Sequence, residues 1–172
     1  MPPIPAPPEE PLRHGGGRIG LISDTHGLLR PEAVAALRGC ERIVHAGDVG
    51  AAEILDTLKA IAPVTAVRGN VDTADWADAL PEAAFLEADG CKIWVLHNRN
   101  DLSSHPPHPG VRLIVTGHSH QPHSETIDGV VYLNPGSAGP RRFRLAITLA
   151  ILETASWRIE FIDLAQTQLT VT

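Results

Sequence analysis

Five short apolar runs, each followed by residues able to bind a metal ion, set the possible fold of this 172-residue chain. The runs are Ile19 to Ile22, Ile43-Val44, Val64 to Val67, Ile93 to Leu96 and Val111 to Val115. Behind them stand Asp24-Thr25-His26, Gly47-Asp48, Gly69-Asn70, His97 and Gly117-His118-Ser119-His120. Short runs rich in Val and Ile read as buried strands. A polar residue just past such a strand lies at its carboxyl end, where open α/β sheets gather their sites. The pattern therefore calls for a sheet protein whose strand ends converge on one polar pocket.

Between the runs the period changes from strand to helix and back. Arg18 to Ser23 reads as a strand and Pro31 to Arg38 as a helix, with proline in its first turn and Gly39 closing it. Arg42 to Ala46 is a strand, and Ala51 to Ala60 a helix with Ile54, Leu55 and Leu58 on one face. Pro63 to Arg68 is a third strand, followed by a helical stretch, Thr73 to Ala79. Such a βαβαβ run demands a parallel sheet with crossover helices. In the second half, Ala83 to Ala88 and Lys92 to Leu96 flank Asp89-Gly90, and Ser124 to Ile127 and Val130 to Leu133 flank Asp128-Gly129, both hairpin signals. Val111 to Thr116, Arg144 to Leu152 and Trp157 to Ile162 complete the strands. The expected architecture is α/β: a four-layer α/β/β/α sandwich of two mixed sheets flanked by helices, with residues 18–172 as a single domain.

Met1 to Gly17 carries six prolines and ends in three glycines. Such a segment buries too little surface to offset its ordering entropy and reads as a disordered tail. It has neither the basic start nor the apolar stretch of a signal peptide. Cys40 and Cys91 stand far apart and outside any zinc-ligand spacing, so they read as small buried hydrophobes in a reducing, cytoplasmic setting. A net charge of −6 excludes a general binder of nucleic acid or anionic membrane, and no apolar run is long enough to span a bilayer. A small phosphoester substrate remains compatible, because bound cations reverse the field in a pocket of carboxylates.

Asp24 and His26, two residues apart, are placed to chelate one ion, and His118 and His120 repeat that spacing. Asp48 has two oxygens with which to bridge two ions, and Asn70 offers a neutral carbonyl. Gly47, Gly69 and Gly117 allow sharp turns that aim the next side chain inward. Any one of these residues alone would be a cap or turn former; all together they suit manganese, iron or zinc better than the oxygen-seeking magnesium or calcium.

The order Asp-x-His, Gly-Asp, Gly-Asn, His, Gly-His-x-His resembles the calcineurin-like metallophosphoesterase superfamily. The His45-Ala46-Gly47-Asp48 segment, Asn134-Pro135-Gly136-Ser137 and Pro140-Arg141 are similar to its small bacterial and archaeal phosphodiesterase branch, which includes the retromer scaffold subunit. The resemblance implies one divalent ion on Asp24, His26, Asp48 and His120. It implies a second on Asp48, Asn70, His97 and His118. Manganese is the first expectation, with iron, zinc, nickel or magnesium as alternatives. It also implies that Asp48, Asn70 and His97 serve catalysis, with an activated water attacking phosphorus in line and no covalent phosphoenzyme.

The chain departs from the superfamily pattern in three places. Val71 stands where many members have a histidine that protonates the leaving group, so substrates with good leaving groups should react best. His97-Asn98-Arg99 replaces a His-Gly-His, and Arg99 is a candidate for contact with substrate phosphate, weighed against an exposed loop arginine. His105 and His108 lie in a proline-rich loop with no assigned role; with His123 they read as surface residues. His45 fits either a place behind the metal ligands or the core. Asn134 to Ser137 reads as a tight turn under the site, and Arg141 and Arg142 as surface-paired arginines or anion guides. A non-catalytic interaction scaffold on the same fold is the alternative function, and degraded ligand positions would mark it. A nuclease would need a basic groove, which the acidic balance disfavours.

Overall fold

The computed structural model describes residues 16–165. Two five-stranded sheets face each other. The first runs β1 (Arg18–Ile22), β2 (Arg42–His45), β3 (Val64–Ala66), β9 (Thr148–Glu153) and β10 (Arg158–Asp163) in the spatial order β10-β9-β1-β2-β3. The second holds β4 (Ala83–Ala88), β5 (Cys91–Leu96), β6 (Leu113–Val115), β7 (His123–Ile127) and β8 (Val130–Asn134) in the order β4-β5-β6-β8-β7. β1, β2 and β3 are parallel, as are β5, β6 and β8; β9 and β10 extend the first sheet antiparallel on the β1 side, and antiparallel β4 and β7 form both edges of the second. The strand ends carrying the polar clusters thus open at one end of the sandwich.

Strand alternation divides the core into layers. Ile19, Leu21, Val44 and Leu152 of the first sheet meet Ile93, Val95, Leu113 and Leu133 of the second. The opposite face of the first sheet, with Ile22, Ile43 and Ile151, is covered by α1 (Pro31–Leu37) and α2 (Ala52–Lys59). Ile54, Leu55 and Leu58 of α2 are buried, as their spacing requires. The outer face of the second sheet, with Trp94, Leu96 and Ile114, is covered more thinly. Leu102 packs there from a 3₁₀ turn, Arg99–Ser103, and the His108 ring lies 4.8 Å from both Phe85 and Trp94. Both hairpins turn on consecutive residues of positive φ, Asp89-Gly90 and Asp128-Gly129, which Asp and Gly tolerate.

Several boundaries move. The third strand shrinks to Val64–Ala66, because it pairs only with β2 and the Arg68 amide turns away to donate to the Pro81 carbonyl. The ninth begins at Thr148 rather than residue 144, since Phe143 is left-handed (φ 52°) in a loop. The helical stretch before β4 is a 3₁₀ turn, Asp75–Ala79. Cys40 and Cys91 are free and buried, as expected; burial raises both thiol pKa values, Cys91 to about 11. Among the described residues no helix is long and apolar enough to cross a membrane. The proposed tail lies outside the described residues up to residue 15; Gly17 is buried, and its carbonyl accepts from the Thr154 amide at 2.9 Å.

Candidate metal centre

The turns after β1, β2 and β6 place the ligand candidates by an unusual backbone. Asp24, His26, Asp48, His118 and His120 all have positive φ, between 45° and 72°. Asp and His enter this region more readily than bulky residues, yet each such position costs about 1–2 kcal/mol. Asp24 and His26 therefore converge because the chain coils after Ile22, and not because alternate residues of a continuing strand share a face. Gly69 and Gly117 matter for a reason other than turning. A Cβ on Gly69 would fall on the amide nitrogen and Oδ1 of Asp48, and one on Gly117 would come 2.6 Å from Asp24 Oδ2. Only glycine lets these turns pack directly against the two carboxylates.

Two groups of ligand atoms result. Asp24, His26, Asp48 and His120 bring one ligand atom each within 4.8 Å of the others, and so do Asp48, His97 and His118. Asp48 belongs to both. Its Oδ1 accepts the Val71 N–H at 3.0 Å, while its Oδ2 lies 3.6 Å from His26 Nε2 and 3.2 Å from His97 Nε2. Asp24 Oδ2 accepts from the Ser23 hydroxyl (2.6 Å) and the His118 amide (3.1 Å), which leaves Oδ1 facing His120 Nε2 at 3.3 Å. Asn70 is exposed and lines a cavity beside His97. Six of the seven sequence-predicted ligands thus come together at one end of the sandwich, and Asn70 stands beside them in the cavity next to His97.

The donor chemistry fits cations. Asp24 Oδ1 and His97 Nε2 are buried without any hydrogen-bond partner, a costly condition unless something positive lies beside each. His97 Nδ1 lies 2.7 Å from the Ala46 carbonyl and must donate to it, so the neutral ring turns a bare Nε2 lone pair toward Asp48. Burial alone would lower the His97 pKa, but the Asp48 and Asp24 charges outweigh it and the net shift is upward. A proton here does what a cation would do. Burial pushes Asp24 up, yet His120, His26 and Ser23 together hold it well below the usual carboxylate range. Asp48 is also lowered; its own burial opposes the shift, and His97 and the Val71 amide prevail.

Three supports hold this geometry. His45, fully buried, accepts the Gly47 amide at Nδ1 (3.1 Å), so its Nε2–H donates to Thr25 Oγ1 (3.0 Å), whose hydroxyl donates to the Val49 carbonyl (2.8 Å). Burial is the main reason its pKa falls to about 4. Asn134 donates to the Gly117 carbonyl (2.8 Å), and Ser137 to the Asp24 carbonyl (2.9 Å), so this turn fastens the β1 and β6 ends together. Asp72, which sequence reasoning passed over, is the third. Its Oδ2 accepts the amides of Val49 (3.2 Å) and Gly69 (2.9 Å), its Oδ1 that of Gly50 (2.9 Å). One carboxylate thereby ties the turn bearing Asp48 to the turn bearing Asn70. Its position two residues after Asn70 was the only sequence signal.

Arg99 does not point its charge at the ligand cluster. It is ion-paired with Glu125, and its guanidinium lies 4.5 Å above the Tyr132 ring. His105 pairs with Glu82 at 3.0 Å, and its carbonyl accepts the Trp94 indole N–H. His123 is a surface residue 3.7 Å from Glu125.

Residues 18–156 match the calcineurin-like phosphoesterase superfamily domain. The chain is 38% identical to a "probable metallophosphoesterase" of Methanocaldococcus jannaschii over 132 residues, 69% of this chain and 67% of that protein. Among solved structures it is similar to an archaeal phosphodiesterase (TM-score 0.72, 23% identity, covering 85% of this chain and 99% of that one). It is likewise similar to Vps29 of Entamoeba histolytica complexed with zinc (TM-score 0.64, 22% identity, 86% and 99% covered). The two structural likenesses speak for the fold alone. Sequence match, ligand groups and the pairing of two mixed five-stranded sheets agree: this chain belongs to the calcineurin-like phosphoesterase superfamily.

Proposed function

We propose that this protein hydrolyses small phosphodiesters with two divalent cations, manganese by preference, in the cytoplasm. The observation that carries the reading is Asp48 Oδ2, which lies 3.6 Å from His26 Nε2 and 3.2 Å from His97 Nε2, so that one carboxylate is within reach of both ligand groups and would serve two cations. Asp24, His26, Asp48 and His120 would hold one cation, and Asp48, Asn70, His97 and His118 the other. Bound there, the cations supply Lewis-acid charge and lower the pKa of water toward neutrality.

The chain's own residues do the rest. Asp24 and Asp48 are both held below the usual carboxylate range, and each carboxylate keeps a hydrogen bond that no ligand atom has to supply, from the Ser23 hydroxyl to Asp24 and from the Val71 amide to Asp48. His97 is fixed in one tautomer by the Ala46 carbonyl, which keeps Nε2 free to bind. Val71 is half-exposed beside Asn70 and has no proton to give, so the leaving oxygen must depart as an alkoxide or take its proton from water. Esters of acidic alcohols and phenols should react fastest. The two free cysteines fit the reducing cytoplasm.

The test is hydrolysis of bis-p-nitrophenyl phosphate with added Mn²⁺ by wild type, Asp48→Ala and His97→Ala. Metal-dependent turnover lost in both variants supports the reading, and equal rates in all three sink it. A second reading, a protein-interaction scaffold, is favoured by one feature. Phe143 is 93% exposed on a loop with Arg141, Arg142 and Arg144, none of which has an ion-pair partner among the described residues. A chain that binds no metal, yet recovers a stoichiometric partner that Phe143→Ala loses, would rank the scaffold first.

A further inference from the structure

Two cavities reach the metal centre from opposite sides. The smaller, about 300 Å³, is lined by Arg68, Asn70, Glu82, His97, Asp101 and His105. The larger, about 540 Å³, is lined by Asn98, Arg99, Asn100, His118, Gln121 and Tyr132 among others. The strand order β4-β5-β6-β8-β7 explains the arrangement. Glu82 precedes β4, His97 ends the central strand β5, and His118 follows β6 toward the β8 and β7 side. A phosphorus atom beside His97 and His118 would have room for one ester arm on each side.

The two cavities differ in chemistry. The smaller is charged: Glu82 bonds both Arg68 (3.2 Å) and His105 (3.0 Å). No carboxylate lines the larger one. Asn100 and Gln121 are exposed there, and neither side-chain amide is hydrogen-bonded among the described residues. The neighbouring Asn134 amide, by contrast, is consumed by the Gly117 carbonyl, the Ser119 hydroxyl and the Gly136 amide. Arg99 completes the wall. Glu125 neutralises it and Tyr132 covers one face of the guanidinium, so what it offers the cavity is a flat surface more than a charge. A flat guanidinium beside free amides is the combination that stacks a nucleobase and reads its polar edge. The volume lies within the usual range for small-molecule sites.

We infer that the substrate is an unsymmetrical phosphodiester with a nucleoside on one arm. The base lies on Arg99 with its edge toward Asn100 and Gln121, and the smaller arm occupies the cavity beside Glu82 and His105. This inference rests on the phosphodiesterase reading and specifies its substrate class.

Three p-nitrophenyl esters test it on the Mn²⁺-loaded protein: thymidine 5′-(p-nitrophenyl phosphate), p-nitrophenyl phosphorylcholine and bis-p-nitrophenyl phosphate. The thymidine ester should have a kcat/KM about tenfold or more above the phosphorylcholine ester. The double variant Asn100→Ala/Gln121→Ala should raise KM for the thymidine ester about tenfold, with bis-p-nitrophenyl phosphate changed less than twofold. In metal-free protein, thymidine alone should shift the side-chain amide resonances of Asn100 and Gln121. Hydrolysis of all three esters without preference, unchanged by the double variant and with no amide shifts, overturns the nucleoside assignment and leaves the phosphodiesterase reading standing. No hydrolysis of any ester overturns the phosphodiesterase reading itself.

Discussion

Removing the Asp72 carboxylate should loosen both the fold and the metal centre, by amounts that depend on which of its three hydrogen bonds water can replace. Gly50 lies at the surface, so water can take over its amide. Val49 is fully buried and cannot be served that way, and Gly69 is half-buried. Asp72→Ala therefore strands one buried donor and weakens another. With about 1–3 kcal/mol for each unmet buried group, the expected loss is about 2–4 kcal/mol. Asp72→Asn can keep a carbonyl oxygen toward the Val49 and Gly69 amides, but its NH2 then meets the Gly50 N–H donor against donor, so it should lose less than alanine, about 1–2 kcal/mol. Urea unfolding in EDTA measures both, with the slope unchanged and the midpoint displaced. The same carboxylate holds the turns of Asp48 and Asn70 together, so calorimetric titration with Mn²⁺ should show affinity weakened about 10- to 100-fold in Asp72→Ala. If alanine and asparagine each leave the midpoint and the affinity at wild-type values, the clamp has no energetic role and the reasoning is wrong.

Other consequences follow from the same contacts. His45 has a folded pKa near 4 against an ordinary value of 6.5, so its neutral form adds stability that is complete above 6.5 and fades as pH falls toward 4. Between pH 7 and pH 5 metal-free wild type should lose about 2 kcal/mol that His45→Gln does not lose, read as the difference between their urea midpoints; parallel pH profiles would refute it. Gly117→Ala should cost about 1–3 kcal/mol and abolish tight Mn²⁺ binding by pressing on Asp24 and Ser23; a variant with normal metal content would contradict the packing argument. Neither cysteine should react with a thiol reagent in the native protein at pH 8, and both should react in urea, because burial holds the Cys91 thiol up to about 11 and raises Cys40 as well. Rapid native labelling would show that the sandwich opens.

Much of the fold was legible because strands buried between layers must be apolar and short, and because Asp-Gly turns announce hairpins. The ligand candidates were legible for a related reason: His97 follows such a run directly, and Asp24, Asp48 and His118 follow theirs within a few residues. What stayed hidden depends on contacts distant in sequence. The Asp24 carboxylate accepts from the His118 amide across the sandwich, and nothing local announces that bond. Asp72 looks like a turn residue until its three amide partners are placed. Gly69 and Gly117 suggest turns, whereas their role is to leave room for carboxylates from other strands. Arg99 invited a phosphate because arginine suits one, but Glu125 and Tyr132, some thirty residues away, claim it first. His45 was undecided between core and support, and it is both.

The central claim is that Asp48 is shared by two cations. Elemental analysis and electron paramagnetic resonance of the Mn²⁺-reconstituted protein test it together. Wild type should hold two manganese ions per chain with an exchange-coupled spectrum, and Asp48→Ala should lose that coupling. A single uncoupled ion in wild type, or a coupled pair that survives Asp48→Ala, would contradict it.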